Sequence, residues 1–274
     1  MQKVKIIKYI LIVVVVFGAL ITISDEIQYR LGVGDFADSD NSFAMKGCNV
    51  AGISLHGDIY TYYDPESQNM DNVVTSEDIV YLLETAETTP NIEAIILEID
   101  SYGGSPVASR EIVDTIKNFV TIPVIVQIRE AGLSGAYWVA SASDYIFASE
   151  ISDVGSIGVT QSYLDESGYN IREGFTYNSL NTGKFKDILD PQKPLTWEEK
   201  QLLQRDLDIV YEAFVKDVAE NRGIELSEIE KLADGSSMLG QMALEKGLID
   251  EVGGYYEVQD YIYNKLGIDP VVCW

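Results

Sequence analysis

From residue 49 to residue 148 the chain alternates apolar runs of strand length with helical stretches, and glycine-rich turns join them. No other feature narrows the fold as much. Residues 49–55 read as a strand. Ser76 then opens a helix, with Glu77 and Asp78 in the first turn, where carboxylates suit the positive helix end, and Ile79, Leu82 and Leu83 on its apolar side. Residues 94–99 are an apolar run of strand length. The turn Asp100-Ser101-Tyr102-Gly103-Gly104-Ser105-Pro106 follows, then a helix to about Phe119 whose first turn holds Pro106, where a missing N–H costs nothing. Residues 124–128 make the next strand, and Gly132-Leu133-Ser134-Gly135 leads into a small-residue helix over 136–142. Residues 145–148 form another strand. Strand, glycine-rich turn and helix in this order specify an α/β fold of parallel β-α-β units, with both faces of the sheet covered.

Beyond residue 160 the pattern changes. Thr196-Trp197-Glu198-Glu199 opens a long amphipathic helix to about Asn221, with Leu202, Leu203, Leu207, Val210 and Phe214 on one side. A shorter helix over 227–232 follows. The stretch from Gly240 to Asp250 reads as a helix stopped by Gly247 and then a short buried strand.

The N-terminal segment differs in kind. Residues 9–23 are apolar and the stretch reaches back through Ile6, a run of about 18 residues, near the minimum for crossing hydrocarbon. Lys3 and Lys5 precede the run, Lys8 snorkels at its start, and Asp25 and Glu26 follow. The positive-inside rule therefore predicts a single-pass anchor over 1–24 in the cell membrane, with the N-terminus cytoplasmic and the rest outside. The competing reading, a cleaved signal peptide, lacks an evident small-x-small cleavage site. Residues 25–47 read as a flexible linker and residues 48–274 as the globular domain.

Charge and composition exclude several functions. Past residue 24 stand 44 acidic against 16 basic side chains, a net charge of −28, which argues against a nucleic-acid partner. With 46% hydrophobic residues the chain has material for a core and is not a disordered composition. Cys48 and Cys273 form no CxxC pattern; they could pair in an oxidising compartment, but the reading preferred is two unpaired small hydrophobes. The single histidine, His56, excludes a metal site built on two or three imidazoles.

Neither glycine-rich turn fits a dinucleotide fingerprint or a phosphate loop. Either alone can simply relieve a tight strand-to-helix turn. Together they suggest acyl transfer. Ser134 can present its hydroxyl at the mouth of a helix, and Gly103-Gly104 can bring a backbone N–H to the same carbonyl carbon because no side chain blocks the approach. A serine needs an adjacent base. His56, in Leu55-His56-Gly57-Asp58, reads as a turn histidine, which leaves a neutral lysine. Lowering a lysine by ~3 units takes about 4 kcal/mol, within reach of burial.

The motifs carry a resemblance. Asp100-Ser101-Tyr102-Gly103-Gly104-Ser105, Leu133-Ser134-Gly135-Ala136-Tyr137-Trp138, Gly155-Ser156-Ile157-Gly158-Val159, Thr182-Gly183-Lys184-Phe185-Lys186-Asp187 and the 240–250 stretch occur in the order found in signal peptide peptidases of the SppA type. These are serine/lysine proteases with the Clp protease/crotonase-like fold, a spiral of ββα units around a mostly parallel sheet. The resemblance runs across most of residues 48–255. By position it implies Ser134 as nucleophile, Lys186 as general base with Lys184 as a nearby alternative, Ser156 orienting the lysine, and the amides of Gly103 and Gly135 as oxyanion hole. Tyr102, Leu133 and Ala136 depart from the family's Pro, Ala and Gly and touch the cleft walls.

The resemblance further implies a membrane-anchored endopeptidase acting on remnant signal peptides and other membrane-associated peptides, with no cofactor and no metal. It also implies a homo-oligomer with active sites at subunit interfaces, because the family draws its serine and lysine from neighbouring copies or domains. Three rivals stand beside it. Stomatin-type membrane proteases also use serine and lysine, but the 240–250 stretch disfavours them. Crotonase-like acyl-CoA enzymes have no use for an anchor or for Lys186. A catalytically inactive scaffold homologue has no need of an intact Ser134, Ser156 and Lys186.

Overall fold

The computed structural model describes residues 47–63 and 72–274. The anchor expected over 1–24, and all but the last residue of the linker expected over 25–47, lie outside these. Among the described residues no helix is long and apolar enough to cross a membrane. Cys48–Trp274 forms one compact unit.

The chain runs through strands β1 (Val50–His56), β2 (Asp58–Tyr60) and β3 (Val73–Thr75) into helix α1 (Ser76–Thr88). Next come β4 (Ala94–Ser101), α2 (Pro106–Asn118), β5 (Val124–Leu133), α3 (Gly135–Ser141), β6 (Tyr145–Ala148) and β7 (Asp153–Gly155). The second half holds α4 (Ser167–Glu173), α5 (Trp197–Arg222), α6 (Leu226–Leu232), β8 (Ser237–Leu239), α7 (Gly240–Glu245), β9 (Glu251–Val252), α8 (Tyr255–Tyr261), a π-helical turn (Ile262–Leu266) and β10 (Val272–Cys273). The main sheet is ordered β10-β1-β4-β5-β6-β9, all parallel. β7 adds in parallel to the far end of β5, and β8 pairs antiparallel with β7.

Local chemistry sets the ends of these elements. Thr75 caps α1 by accepting from the Asp78 amide at 3.0 Å. Ser105 caps α2, with Pro106 in its first turn. Thr196 and Glu199 close a reciprocal capping box on α5, and Gly223 ends that helix at φ 62°. One sheet face packs Val50, Ala94, Ile96, Ile125 and Phe147 against Val258 of α8 and Ile262 and Ile268 behind it. α1 packs on β1 and on α2, burying Ile79, Leu83, Ile112 and Ile116. Each such side chain contributes about 1.5–3 kcal/mol of burial.

Three departures from the sequence reading have physical reasons. β5 runs on past residue 128 to Leu133, because after a bulge opposite Ile99–Ser101 it pairs again, Ser101 with Gly132, and also takes β7. The strand expected at the end of the 240–250 stretch is displaced: Leu248 and Ile249 are buried without pairing, and β9 begins at Glu251. The cysteines are not unpaired. Parallel pairing of β10 with β1 sets Ala51 opposite Cys273, so Cys48 comes within 5.8 Å of Cys273 (Cα–Cα) and the two form a disulfide.

Candidate active site

The two glycine-rich turns meet at the bulged end of β4 and β5. Asp100 Oδ1 accepts the Ala131 amide of the bulge at 3.2 Å, and the chain then turns at Ser134 with φ 51° and ψ −126°. That conformation is costly for a residue with a Cβ, on the order of 1–3 kcal/mol, and survives only where the surroundings enforce it. The surroundings here do so: the Ser134 amide donates to Gly155 O at 2.8 Å, its carbonyl accepts from Trp138, and all seven residues of α3 are buried. Ser134 stands at the N-cap position, yet its hydroxyl caps nothing. It lines a cleft of about 600 Å³ instead.

Gly103 and Gly104 press against this turn. A Cβ at Gly103 would lie 2.9 Å from the Gly135 nitrogen and from Ser134 Cβ, and one at Gly104 would collide with the Ile59 carbonyl. The strand-like contact with Ile59 uses the Gly103 carbonyl and the Ser105 amide, so the Gly104 N–H points the opposite way. The Gly103 N–H is engaged: it donates to Ser101 Oγ at 3.0 Å, in a buried position. Of the pair, the Gly104 amide is thus the one turned towards the cleft. Gly104 lines it, and among the described residues neither the Gly104 nor the Gly135 amide has a hydrogen-bond acceptor. A Cβ at Gly135 would sit 3.5 Å from the Gly104 nitrogen, so the two free amides are neighbours.

Ser156 borders the same cleft, half-buried, with φ 51°; its hydroxyl donates to Gly235 O at 3.0 Å and its amide to Ser236 O at 3.0 Å. Trp138 and Phe214 supply an apolar part of the lining. Trp138 stacks on Phe214 of α5 at 4.7 Å, and its indole N–H donates to Asp217 at 2.9 Å, while Asp217 also takes Arg110 at 2.6 Å. Tyr102 stands exposed at the rim. Trp138 and Phe214 were visible in the sequence only as members of a motif and of an apolar stripe.

The lysines lie elsewhere. Lys184 pairs with Glu198 at 2.6 Å, in the first turn of α5. From Glu198 to Val210, the first α5 residue on the cleft, is twelve residues, about 18 Å along the helix axis. Lys186, in the same turn as Lys184, is exposed, lines no part of the cleft and makes no ion pair among the described residues. Ser134, Ser156, Gly104 and Gly135 are therefore together within one chain, and neither lysine joins them. His56 is also apart: its Nε2 meets Glu98 at 2.9 Å, and Arg129 holds the other oxygen of Glu98 at 2.8 Å. Among the described residues no cluster of three or more His, Cys, Asp or Glu forms a metal site.

A strained serine and two unpaired amides thus share one cleft, and comparison with known proteins points to a peptidase family. The profile of Peptidase family S49 matches residues 117–269. The chain belongs to peptidase family S49. It is 36% identical over 175 residues to a protein of Methanocaldococcus jannaschii that carries a provisional protease name, covering 64% of this chain and 56% of that one. It is 31% identical over 193 residues to a protein of Enterococcus faecium provisionally named signal peptide peptidase SppA (70% and 54%). It is 29% identical over 216 residues to Protease 4 of Haemophilus influenzae (76% and 33%). The S49 chain thus spans about half the length of the first two relatives and a third of the last. The matched family region holds Ser134, Ser156 and Lys186, whereas the Gly103-Gly104 turn lies before it.

Proposed function

We propose that this S49 chain is a membrane-anchored serine endopeptidase whose nucleophile and base come from neighbouring copies. The observation that carries the reading is the free Ser134 hydroxyl, in a strained turn, beside the unpaired amides of Gly104 and Gly135. Ser134 Oγ attacks the scissile carbonyl carbon, and the carbonyl oxygen takes the negative charge against the two N–H groups. The neutral Lys186 amine accepts the Ser134 proton and later passes it to the leaving amine. Ser156, whose hydroxyl oxygen keeps acceptor capacity while donating to Gly235, orients that lysine. Water then hydrolyses the acyl-enzyme.

The lysine loop at the remote end of α5 supports a base supplied in trans, and so a homo-oligomer with active sites between subunits. The apolar run at 9–23 supports the anchor, with the domain outside the membrane. The Trp138–Phe214 wall suits apolar peptide side chains such as those of remnant signal peptides.

Labelling with a serine-reactive fluorophosphonate, read by intact mass, tests the reading. Wild type should gain one adduct on Ser134. Ser134→Ala should gain none, and Lys186→Ala should react and hydrolyse peptide about 10³-fold more slowly or worse. Full activity in Lys186→Ala, with loss in His56→Ala, would refute the serine/lysine assignment.

A further inference from the structure

Glu199 is the one acidic side chain fully enclosed among the described residues, at 2% exposure, and the proposed chemistry has no step for it. It accepts from Lys193 Nζ at 2.5 Å, from the Thr196 amide at 2.8 Å and from the Thr196 hydroxyl at 2.9 Å. Lys193 Nζ also lies 3.6 Å from Asp187 Oδ1, and Asp187 is the residue after Lys186. Both are mostly shielded, with side-chain exposures of 19% and 14%. Behind them, Asp190 accepts from the Tyr177 hydroxyl and from the Gln192 amide, each at 2.9 Å. Tyr177, Asp187, Asp190 and Glu199 are the titratable groups gathered around Lys193.

This cluster sits where packing is missing. Residues 175–196 contain neither helix nor strand, and between 158 and 198 no residue is buried. A loop that must present an amine to within a fraction of an ångström has no apolar core to hold it. Charge takes that part. Glu199 is enclosed at the first turn of a 26-residue helix, which gives the cluster a rigid foundation. The hydrogen bond from Lys193 holds the Glu199 carboxyl down at about 2, and the same bond raises Lys193 above the ordinary lysine value. The bond therefore favours the ionised form of both partners.

We infer that Glu199 and Lys193 are positioning residues for Lys186: the Glu199–Lys193–Asp187 relay fixes the loop that presents the base. The inference rests on the reading of Lys186 as general base. Asp187→Asn cuts the relay next to Lys186 and leaves the enclosed Glu199–Lys193 pair intact. Lys193→Met removes its centre, and Lys193→Arg keeps the charge.

The test measures kcat and KM on a peptide substrate against pH, the melting temperature, and amide hydrogen exchange over 183–190, all in the full chain. Lys193→Met should lower kcat about 30-fold with KM little changed, since misplacing a catalytic group by an ångström costs up to about 10²-fold. It should also shift the alkaline limb of the kcat profile and speed exchange over 183–190. Lys193→Arg should restore both. Asp187→Asn should lower kcat about fivefold at unchanged melting temperature, and it carries the test if Lys193→Met does not fold. Wild-type kcat and exchange in Lys193→Met or Asp187→Asn, with Lys186→Ala inactive, would overturn the relay alone. Wild-type activity in Lys186→Ala would overturn the base assignment and the relay with it.

Discussion

Ser134 stands at the end of β5 with seven buried residues of α3 directly behind it, whereas Lys186 stands in a stretch where no residue from 158 to 198 is buried. The serine turn is held by backbone hydrogen bonds to β7 and by glycines against which no Cβ would fit. The lysine loop is held by ion pairs to the start of α5, while Leu180, Phe175 and Ile171 on the same arm face outward. The geometry of Ser134 is thus a property of the folded core. A strained φ of 51° persists only in such a frame. Lys186 sits on an arm whose apolar side chains find no cover among the described residues, and in the proposed reading a neighbouring copy supplies both that cover and the serine.

The same small substitution should separate the two regions. Gly104→Ala drives a methyl into the Ile59 carbonyl and should cost about 3 kcal/mol or more, seen as a large fall in the urea midpoint together with loss of activity. Gly174→Ala, at the end of α4, meets nothing within 4 Å and pays only for its φ of 78°, about 1 kcal/mol. Equal costs would erase the contrast between core and arm.

Reducing the Cys48–Cys273 disulfide, which ties β10 to the start of β1 across 225 residues, should lower stability by about 2–4 kcal/mol without changing exchange over 183–190. A reduced protein as stable as the oxidised one would show that the sheet edge holds without the bond.

The arm has its own signature in acid. The folded Glu199 pKa of about 2 lies below its ordinary 4.5, so its contribution is complete above pH ~4.5 and is lost as pH falls towards 2. Protection of the amides over 183–190, their exchange rate relative to the intrinsic rate at the same pH, should therefore fall in that window in wild type, and Glu199→Gln should remove this fall. An arm whose protection does not change between pH 5 and 2.5 would contradict an ionic hold.

What the sequence made legible follows the same division. The two glycine-rich turns, Ser134 and the flanking helices were readable because strand, turn and helix signals are local and adjacent. β2, β3, β7 and β8 have three residues each, too few to show a period of two, although β7 anchors the Ser134 amide. Which glycine amide faces the cleft depended on where the Ser101 hydroxyl points. The cysteine pair was hidden because 225 residues of separation say nothing about which edge of the sheet β10 joins. Thr196-Trp197-Glu198-Glu199 was legible as a helix start, but the enclosure of Glu199 came only from the fold of the loop over it.

The central claim is that the serine half and the lysine half of one site belong to different copies. Ser134→Ala and Lys186→Ala chains, each inactive alone, should be dissociated, mixed in equal amounts and reassembled, with mixing verified by native mass spectrometry. If the two halves meet between subunits, some interfaces pair an intact Ser134 with an intact Lys186, and about a quarter of wild-type activity returns at random mixing. No recovery in verified mixed oligomers would place the serine and its base within a single chain and contradict the account.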